Sequence, residues 1–388
     1  AAIVKSDRDA EDKSSWTLAA PTGKAARRIA AVTGEDAFTV HRLYYSTVER
    51  ADQLLCDEAS LQDIEILTRV LMRRQFKRIV FVGDTEQLPS VAPGQLLKDL
   101  IDAGVPTTSL KTIHRSGPNS IIPHNASKIS SGNGNLQTSE EFQIHQFDAI
   151  RGNEVIVKTA IEIHKKFNKL PHILTFTNDS CAAINILLRD KFNPKNPSKP
   201  QTAKINVLWH VSARRFLYPQ YVFRVGDQVM SIVNRPGVVN GDVGTIVEAS
   251  RYTATVQFRS LRVKYLTASE LKDELRPAYA TTVHKAQGSE YDCVIVKVAY
   301  KHYWGNMRNW LYTAITRAKM KCIVFETKRG DCARCIQQKP QSRKTFLSDK
   351  LKYLFSRKRA FESSAGVLSS PATSTSAHGL WKRRKNAD

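Results

Sequence analysis

The 388 residues are 41% hydrophobic and 24% charged, ordinary for a folded chain and too many for one simple domain. The charge balance is less ordinary: 59 Lys and Arg against 36 Asp and Glu leave a net +23, which points to a polyanionic partner, nucleic acid first, although a merely soluble basic protein fits the same number. Six cysteines are too few for a disulfide framework, and no apolar run reaches membrane-spanning length, so a reducing, intracellular setting without membrane contact is expected.

Ala1–Val4 reads as the end of a helix. Trp16-Thr17-Leu18-Ala19-Ala20 reads as a strand broken at Pro21-Thr22-Gly23, with Lys24–Thr33 as the following helix, stopped by Gly34. Pro21-Thr22-Gly23-Lys24 is not a phosphate loop. The earlier glycine is missing, and the Lys is followed by Ala, so no hydroxyl stands ready for Mg²⁺. A strand end exposing Thr22 and Lys24 suits a contact with a nucleic-acid backbone instead.

The stretch Leu54–Gly94 organises the chain. Leu54-Leu55-Cys56 runs into Asp57-Glu58-Ala59-Ser60, and Arg78-Ile79-Val80-Phe81-Val82 runs into Gly83-Asp84-Thr85-Glu86-Gln87-Leu88-Pro89. Apolar runs that end in polar clusters are expected as buried parallel strands delivering those groups to the carboxyl edge of an α/β sheet. Leu61–Gln75 between them is helical in pattern. An acid pair at a strand tip is what nucleotide hydrolysis requires: one carboxylate for Mg²⁺, one for the attacking water. A helix-capping pair accounts for the same two residues. Gln87 presents an amide from a constrained loop, suited to sensing a γ-phosphate.

Leu96–Ala103 is expected as a helix ending at Gly104, Thr107–Leu110 as a strand, and Asn119–Ser131 as a helix closed by Gly132. A boundary between two large domains is placed near residue 111. Ile173–Phe176 reads as a buried strand, Asn178–Asp190 as a helix and Asn193–Lys204 as a loop. From Arg224 to Phe258 short runs alternate with Gly226-Asp227, Asn240-Gly241-Asp242 and Gly244, the pattern of a small antiparallel barrel inserted in the second domain. Tyr279–Val298 restores strand–helix–strand, and Leu311–Lys319 is helical before the strand Cys322–Phe325. Cys332-Ala333-Arg334-Cys335 has zinc-knuckle spacing without a second pair, too little to predict zinc. Beyond Lys339 regular pattern fades. Gln338–Asp388 holds twelve Lys and Arg against three acids and reads as a disordered basic tail. Its cluster Lys382-Arg383-Arg384-Lys385 suits nuclear import, a nucleic-acid contact or a solvated charge run; nucleus and cytoplasm both stay open.

The ordered set of motifs resembles the superfamily 1 helicases of the RecD-like type. It comprises Ala20-Pro21-Thr22-Gly23-Lys24-Ala25-Ala26, Thr39-Val40-His41-Arg42-Leu43, Asp57-Glu58-Ala59-Ser60 and Gly83–Val91, then Ile113-His114-Arg115, Val283–Glu290 and Tyr312–Lys319. The resemblance covers about residues 18–326. It implies an α/β protein with two RecA-like motor domains of parallel sheets, a small β-barrel inserted in the second, ATP between the motors and single-stranded DNA across them. The expected divisions are 1–111, 112–221, the barrel at 222–262, 263–330, and a disordered basic tail at 331–388. By position, Asp57 would bind Mg²⁺, Glu58 would be the catalytic base and Gln87 the γ-phosphate sensor. Arg115 and Arg317 would reach the triphosphate, an effect of roughly 10³–10⁵ in rate for such arginines. Gly288 and Glu290 would lie at the nucleotide, and Thr22, Lys24, His41, Thr282, His284 and Lys285 along the strand. RNA in place of DNA stays open, and accessory helicase or nuclease subunits are possible partners of such a motor.

Two departures matter. The phosphate loop G-x-x-x-x-G-K-[ST] is absent from these residues, so the stretch is expected to be an amino-terminally truncated motor with little ATPase of its own. A non-hydrolysing, nucleic-acid-binding remnant or subunit is the alternative. The short gap between His41 and Asp57 leaves hardly any room for the strand-separating hairpin of relatives.

Overall fold

The computed structural model describes residues 15–46, 52–110, 119–147, 152–196, 198, 200–205, 221–259, 261–300 and 305–367. The expectations for Ala1–Val4, for Ile113-His114-Arg115, for the boundary at 111 and for Lys382–Lys385 fall outside them. By contacts the chain divides into two compact units. One comprises the described residues up to Lys98 together with Thr108–Lys344, and the other Asp99–Thr107 with the described residues from Thr345.

The larger unit begins with β1 (Trp16–Ala20), α1 (Gly23–Thr33), β2 (Ala37–Thr39), α2 (Val40–Tyr45), β3 (Gln53–Cys56), α3 (Ile64–Arg73), β4 (Arg78–Phe81) and the start of α4 (Leu96–Asp102). Its helices start where hydroxyls or carboxylates cap them: Thr22 accepts from the Ala25 N–H, Thr39 from Arg42 and Asp63 from Glu65. Gly34 ends α1 at φ +76°, a conformation cheap only for glycine. The four strands form a parallel sheet in the order β2-β1-β3-β4. One carboxyl edge therefore carries the turns after all four, which is where parallel sheets bind ligands. Thr107–Leu110, expected as a strand, has no regular structure, and Leu110 is exposed.

A second parallel sheet follows. It takes α5 (Ile121–Ser131), β5 (Phe142–Gln146), α6 (Gly152–Phe167), β6 (His172–Thr175) and α7 (Asn178–Phe192). An antiparallel sheet then intervenes: β7 (Gln228–Ser231), β8 (Val243–Ala249), β9 (Ala254–Phe258), β10 (Leu261–Tyr265), α8 (Ala268–Glu274) and β11 (Leu275–Pro277), paired in the order β10-β9-β8-β7-β11. It runs past the expected limit at 262, because Leu271, Leu275 and Tyr265 are packed into the same core as Phe223, Val229 and Val256. Among the described residues its pairing is that of an open five-stranded sheet.

The chain then returns through β12 (Ala280–Thr282), α9 (Val283–Ala286), β13 (Tyr291–Val298), α10 (Met307–Ile315), β14 (Ala318–Glu326) and α11 (Asp331–Gln337), completing the sheet β12-β6-β13-β14-β5. The helix expected at Leu311–Lys319 and the strand after it start earlier: α10 stops at Ile315, and Ala318-Lys319 already belong to β14. The expected tail is corrected at its start too. Cys332, Cys335 and Ile336 lie on one face of α11 and are buried with Trp310 and Phe142, so the helix belongs to the core. That burial pushes both thiols up, Cys335 to about 12.

In the smaller unit α12 (Leu347–Val367) is helical where the sequence reads as losing pattern. There the Thr345 hydroxyl donates to the buried Asp99 carboxylate at 2.7 Å.

Candidate nucleotide and strand site

The turn after β3 and the loop after β4 lie against each other. Backbone pairing continues past both strands, with the Val82 N–H donating to Cys56 O at 2.9 Å and the Ala59 N–H to Val82 O at 2.8 Å. A Cβ on Gly83 would stand 3.0 Å from the backbone nitrogens of Ala59 and Ser60, so glycine is what lets the two turns meet. Asp57 is half-buried and its Oδ1 accepts from the Glu58 N–H at 2.8 Å. Glu58 sits at φ +52°, ψ +39°, in the left-handed region where a non-glycine residue is uncommon. Such a conformation costs about 1–3 kcal/mol and clusters at functional sites. The acid pair does not cap a helix through its side chains, since the short 3₁₀ turn Ala59–Leu61 has no side-chain cap from Glu58.

The loop after β4 is gripped by residues that follow the second sheet's helix α9 or lie on α10. Gln87 is buried; its Nε2 donates to Asp84 Oδ2 at 3.3 Å and its Oε1 accepts from Arg317 Nη2 at 3.3 Å. Asn309 Nδ2 donates to Glu86 O at 2.8 Å, the Thr313 hydroxyl accepts from the Leu88 N–H at 2.9 Å, and Gln287 Nε2 donates to Leu88 O at 3.2 Å. The Tyr312 hydroxyl donates to Asp84 Oδ2 at 2.9 Å. Arg317 itself is 1% exposed, with Nε donating to Thr313 O at 3.1 Å and Nη1 to Ser289 O at 3.3 Å. A buried guanidinium held this firmly is a charge aimed rather than a floating surface cation. Asn309, Tyr312 and Thr313 were not singled out from the sequence, although Tyr312 and Thr313 stand in the same motif as Arg317.

The remaining candidates are distributed as follows. Gly288, at φ +72°, abuts Thr22, whose hydroxyl would stand 3.9 Å from a Cβ there. Thr22 caps α1, and the next candidate, Lys24, donates from Nζ to Ser289 Oγ at 3.1 Å. Glu290 is paired with Arg28 at 3.0 Å and with Lys319 at 3.3 Å. Thr282 is the buried last residue of β12, His284 and Lys285 lie in the short α9, and His41 is exposed at the start of α2. Arg115 lies outside the described residues.

The antiparallel sheet reaches this region through its turn at Val239–Asp242. Arg27 is ion-paired with Asp242, and a Cβ on Gly23 would collide with Val239 at 2.7 Å. Lys24 is enclosed between that turn and Ser289. Loss of water lowers its pKa to about 8, against a smaller opposing pull from Asp242. Since the unfolded chain holds that proton up to a pKa near 10.5, folding disfavours charged Lys24. The penalty is complete below about pH 8 and fades as pH rises towards 10.5. Urea denaturation from pH 7.5 to 10 is therefore expected to show the wild type gaining stability relative to Lys24→Met; a constant difference would remove Lys24 as a titrating group.

The chain matches a family model described as an AAA domain over residues 5–150 and one described as a UvrD-like helicase C-terminal domain over residues 277–325. It is 29% identical over 315 residues to the ATP-dependent RecD2 DNA helicase of Deinococcus radiodurans, covering 78% of this chain and 41% of that protein. It is 26% identical over 359 residues to the RecBCD enzyme subunit RecD of Mycolicibacterium smegmatis, covering 79% and 61%. The chain thus spans about half the length of these relatives. Its fold is similar to that of Bacteroides Pif1 bound to single-stranded DNA, with a TM-score of 0.53, 18% identity and coverage of 94% of this chain and 91% of that one. Candida albicans Pif1 gives a TM-score of 0.53 at 18% identity, covering 93% and 92%. The two parallel sheets and the order of the motifs are those expected of a superfamily 1 helicase, and both family models and these relatives support the RecD-like type.

Proposed function

We propose that these residues form the motor of an ATP-dependent DNA helicase or translocase that couples Mg-ATP hydrolysis to 5′→3′ movement on single-stranded DNA. The observation that carries this reading is the contact of Gln87 with Arg317, a loop amide beside the acid turn held by a buried cation from the second sheet. In phosphoryl transfer the protein supplies position and charge, so such a pair is suited to sense and neutralise a γ-phosphate. Asp57 would hold Mg²⁺, Glu58 would orient and deprotonate the attacking water, and Arg115 and Arg317 would meet the charge that develops. Gly288 and Glu290 would lie towards the nucleotide. Thr22, Lys24, His41, Thr282, His284 and Lys285 would line the path of the strand, backbone contacts that leave DNA and RNA undistinguished. The two motor domains would be residues 1–111 and 112–337, with the antiparallel sheet of residues 222–277 inserted in the second. The protein is proposed to be intracellular, and accessory subunits fit the same reading, since one relative is a subunit of the RecBCD enzyme.

A second reading rests on one observation: no G-x-x-x-x-G-K-[ST] stands in the 388 residues. The Lys and backbone amides that cradle β- and γ-phosphates are then not supplied by this stretch. The 388-residue chain alone is therefore expected to bind oligo-dT but hydrolyse little ATP. Its affinity should fall linearly in log–log with salt, with a slope of about −0.7 per phosphate contacted. Filter binding and phosphate release measure both quantities together. No binding to oligo-dT at low salt would remove the nucleic-acid reading altogether.

A further inference from the structure

Beyond α11 the chain returns to the loop that follows Gln87. The Gln341 N–H donates to Gly305 O at 2.9 Å, and two residues later the Arg343 guanidinium meets three backbone carbonyls. Its Nη2 donates to Ser90 O at 2.6 Å, and its Nη1 to Ala92 O at 2.6 Å and Gly94 O at 2.8 Å. Gln95 closes the arrangement: its Oε1 accepts from the Arg343 N–H and its Nε2 donates to Arg343 O, both at 3.4 Å.

The gripped loop is tied to the acid turn at its other end. Ser90 is 5% exposed, and its N–H donates to Ser60 O at 3.0 Å, two residues beyond Glu58. Gly94, at φ +102°, is pressed so closely on Ile64 that a Cβ would stand 2.3 Å from Ile64 Cδ1. The loop has little slack at that end. Three carbonyls that turn towards one point need donors, and a guanidinium offers several in a fixed fork. A lysine would offer one point charge in their place.

We propose that Arg343 is a positioning residue for ATP hydrolysis: by holding the carbonyls of Ser90, Ala92 and Gly94 it fixes the loop that carries Gln87 between the acid turn and Arg317. The proposal rests on the ATPase reading above. It makes the segment after the second sheet a working part of the nucleotide site, although it lies outside every motif of the resemblance.

The test uses the full-length gene product and single-strand-stimulated ATP hydrolysis. Arg343→Ala is expected to lower kcat by about tenfold or more, because small displacements of aligned groups are costly, with KM for ATP changed by less than about twofold. Arg343→Lys should regain only part of the loss, and Lys339→Ala, which removes an exposed charge from the same connection, should change neither constant. Hydrogen exchange in Arg343→Ala should quicken in Leu88–Gln95 and stay as in the wild type over β7–β9. An active wild type with an equally active Arg343→Ala variant overturns the proposal. Faster exchange throughout the chain overturns it as well, since Arg343 would then be a general stabiliser. A wild type without hydrolysis overturns the ATPase reading itself, and the positioning role with it.

Discussion

Replacing Glu58 by Gln is expected to lower single-strand-stimulated ATP hydrolysis by the full-length gene product by about 10²–10⁴-fold, the range typical of losing a general base. The substitution keeps the size and reach of the side chain and removes its charge and its basicity. Binding of ATP and of oligo-dT should stay within a few-fold of the wild type, so that the variant accumulates in the nucleotide-bound state. The backbone at Glu58 is already held at φ +52° by its neighbours, with the Leu61 N–H donating to Glu58 O at 2.9 Å. A single-turnover measurement separates chemistry from product release. If the chemical step of Glu58→Gln matches the wild type, the base is elsewhere and the assignment of the acid turn is wrong.

Arg317→Ala carries the second large expectation, a fall of about 10³–10⁵-fold in kcat, as for arginines that meet the developing charge of a transferred phosphoryl group. Its effect should exceed that of Gln87→Ala, because removing the cation also frees the Thr313 and Ser289 carbonyls and the Gln87 Oε1 from their donor. The two substitutions share a contact and should not be additive; a double-mutant cycle is expected to give a coupling between them. Arg317→Lys should recover little, as an ammonium cannot reproduce three directed N–H contacts. Additive effects of Arg317→Ala and Gln87→Ala would mean that the contact between them has no part in turnover.

Much of this arrangement was legible in the chain, for local reasons. Strands that end in polar tips, such as Leu54–Glu58 and Arg78–Gln87, announce both a buried parallel sheet and the edge where its chemistry lies. The starts of α1, α5 and α7 also fall within two residues of where the pattern puts them, and the structure shows Thr22, Ser120 and Thr177 capping them. Thr107–Leu110 misled because a β-prone run without a partner strand gains nothing from its propensity. Residues 331–337 misled in the opposite sense: placed in the expected disordered tail, they form α11, whose buried face carries both cysteines.

The contacts that build the site were the least legible. Arg317 and Gln87 stand far apart in the chain, as do Arg343 and Ser90, and no periodicity encodes a meeting across that distance. Lys24 shows the same limit. The sequence places it at an exposed strand end, whereas the Val239–Asp242 turn and Ser289 enclose it and lower its pKa.

The most direct test is the rate of ATP hydrolysis by the full-length gene product, measured against increasing oligo-dT with Mg²⁺ present. A rate that rises to saturation with oligo-dT and disappears in Glu58→Gln is the predicted result. A wild-type rate no higher than that of Glu58→Gln at saturating oligo-dT would contradict it, and leave a protein that binds the strand without driving along it.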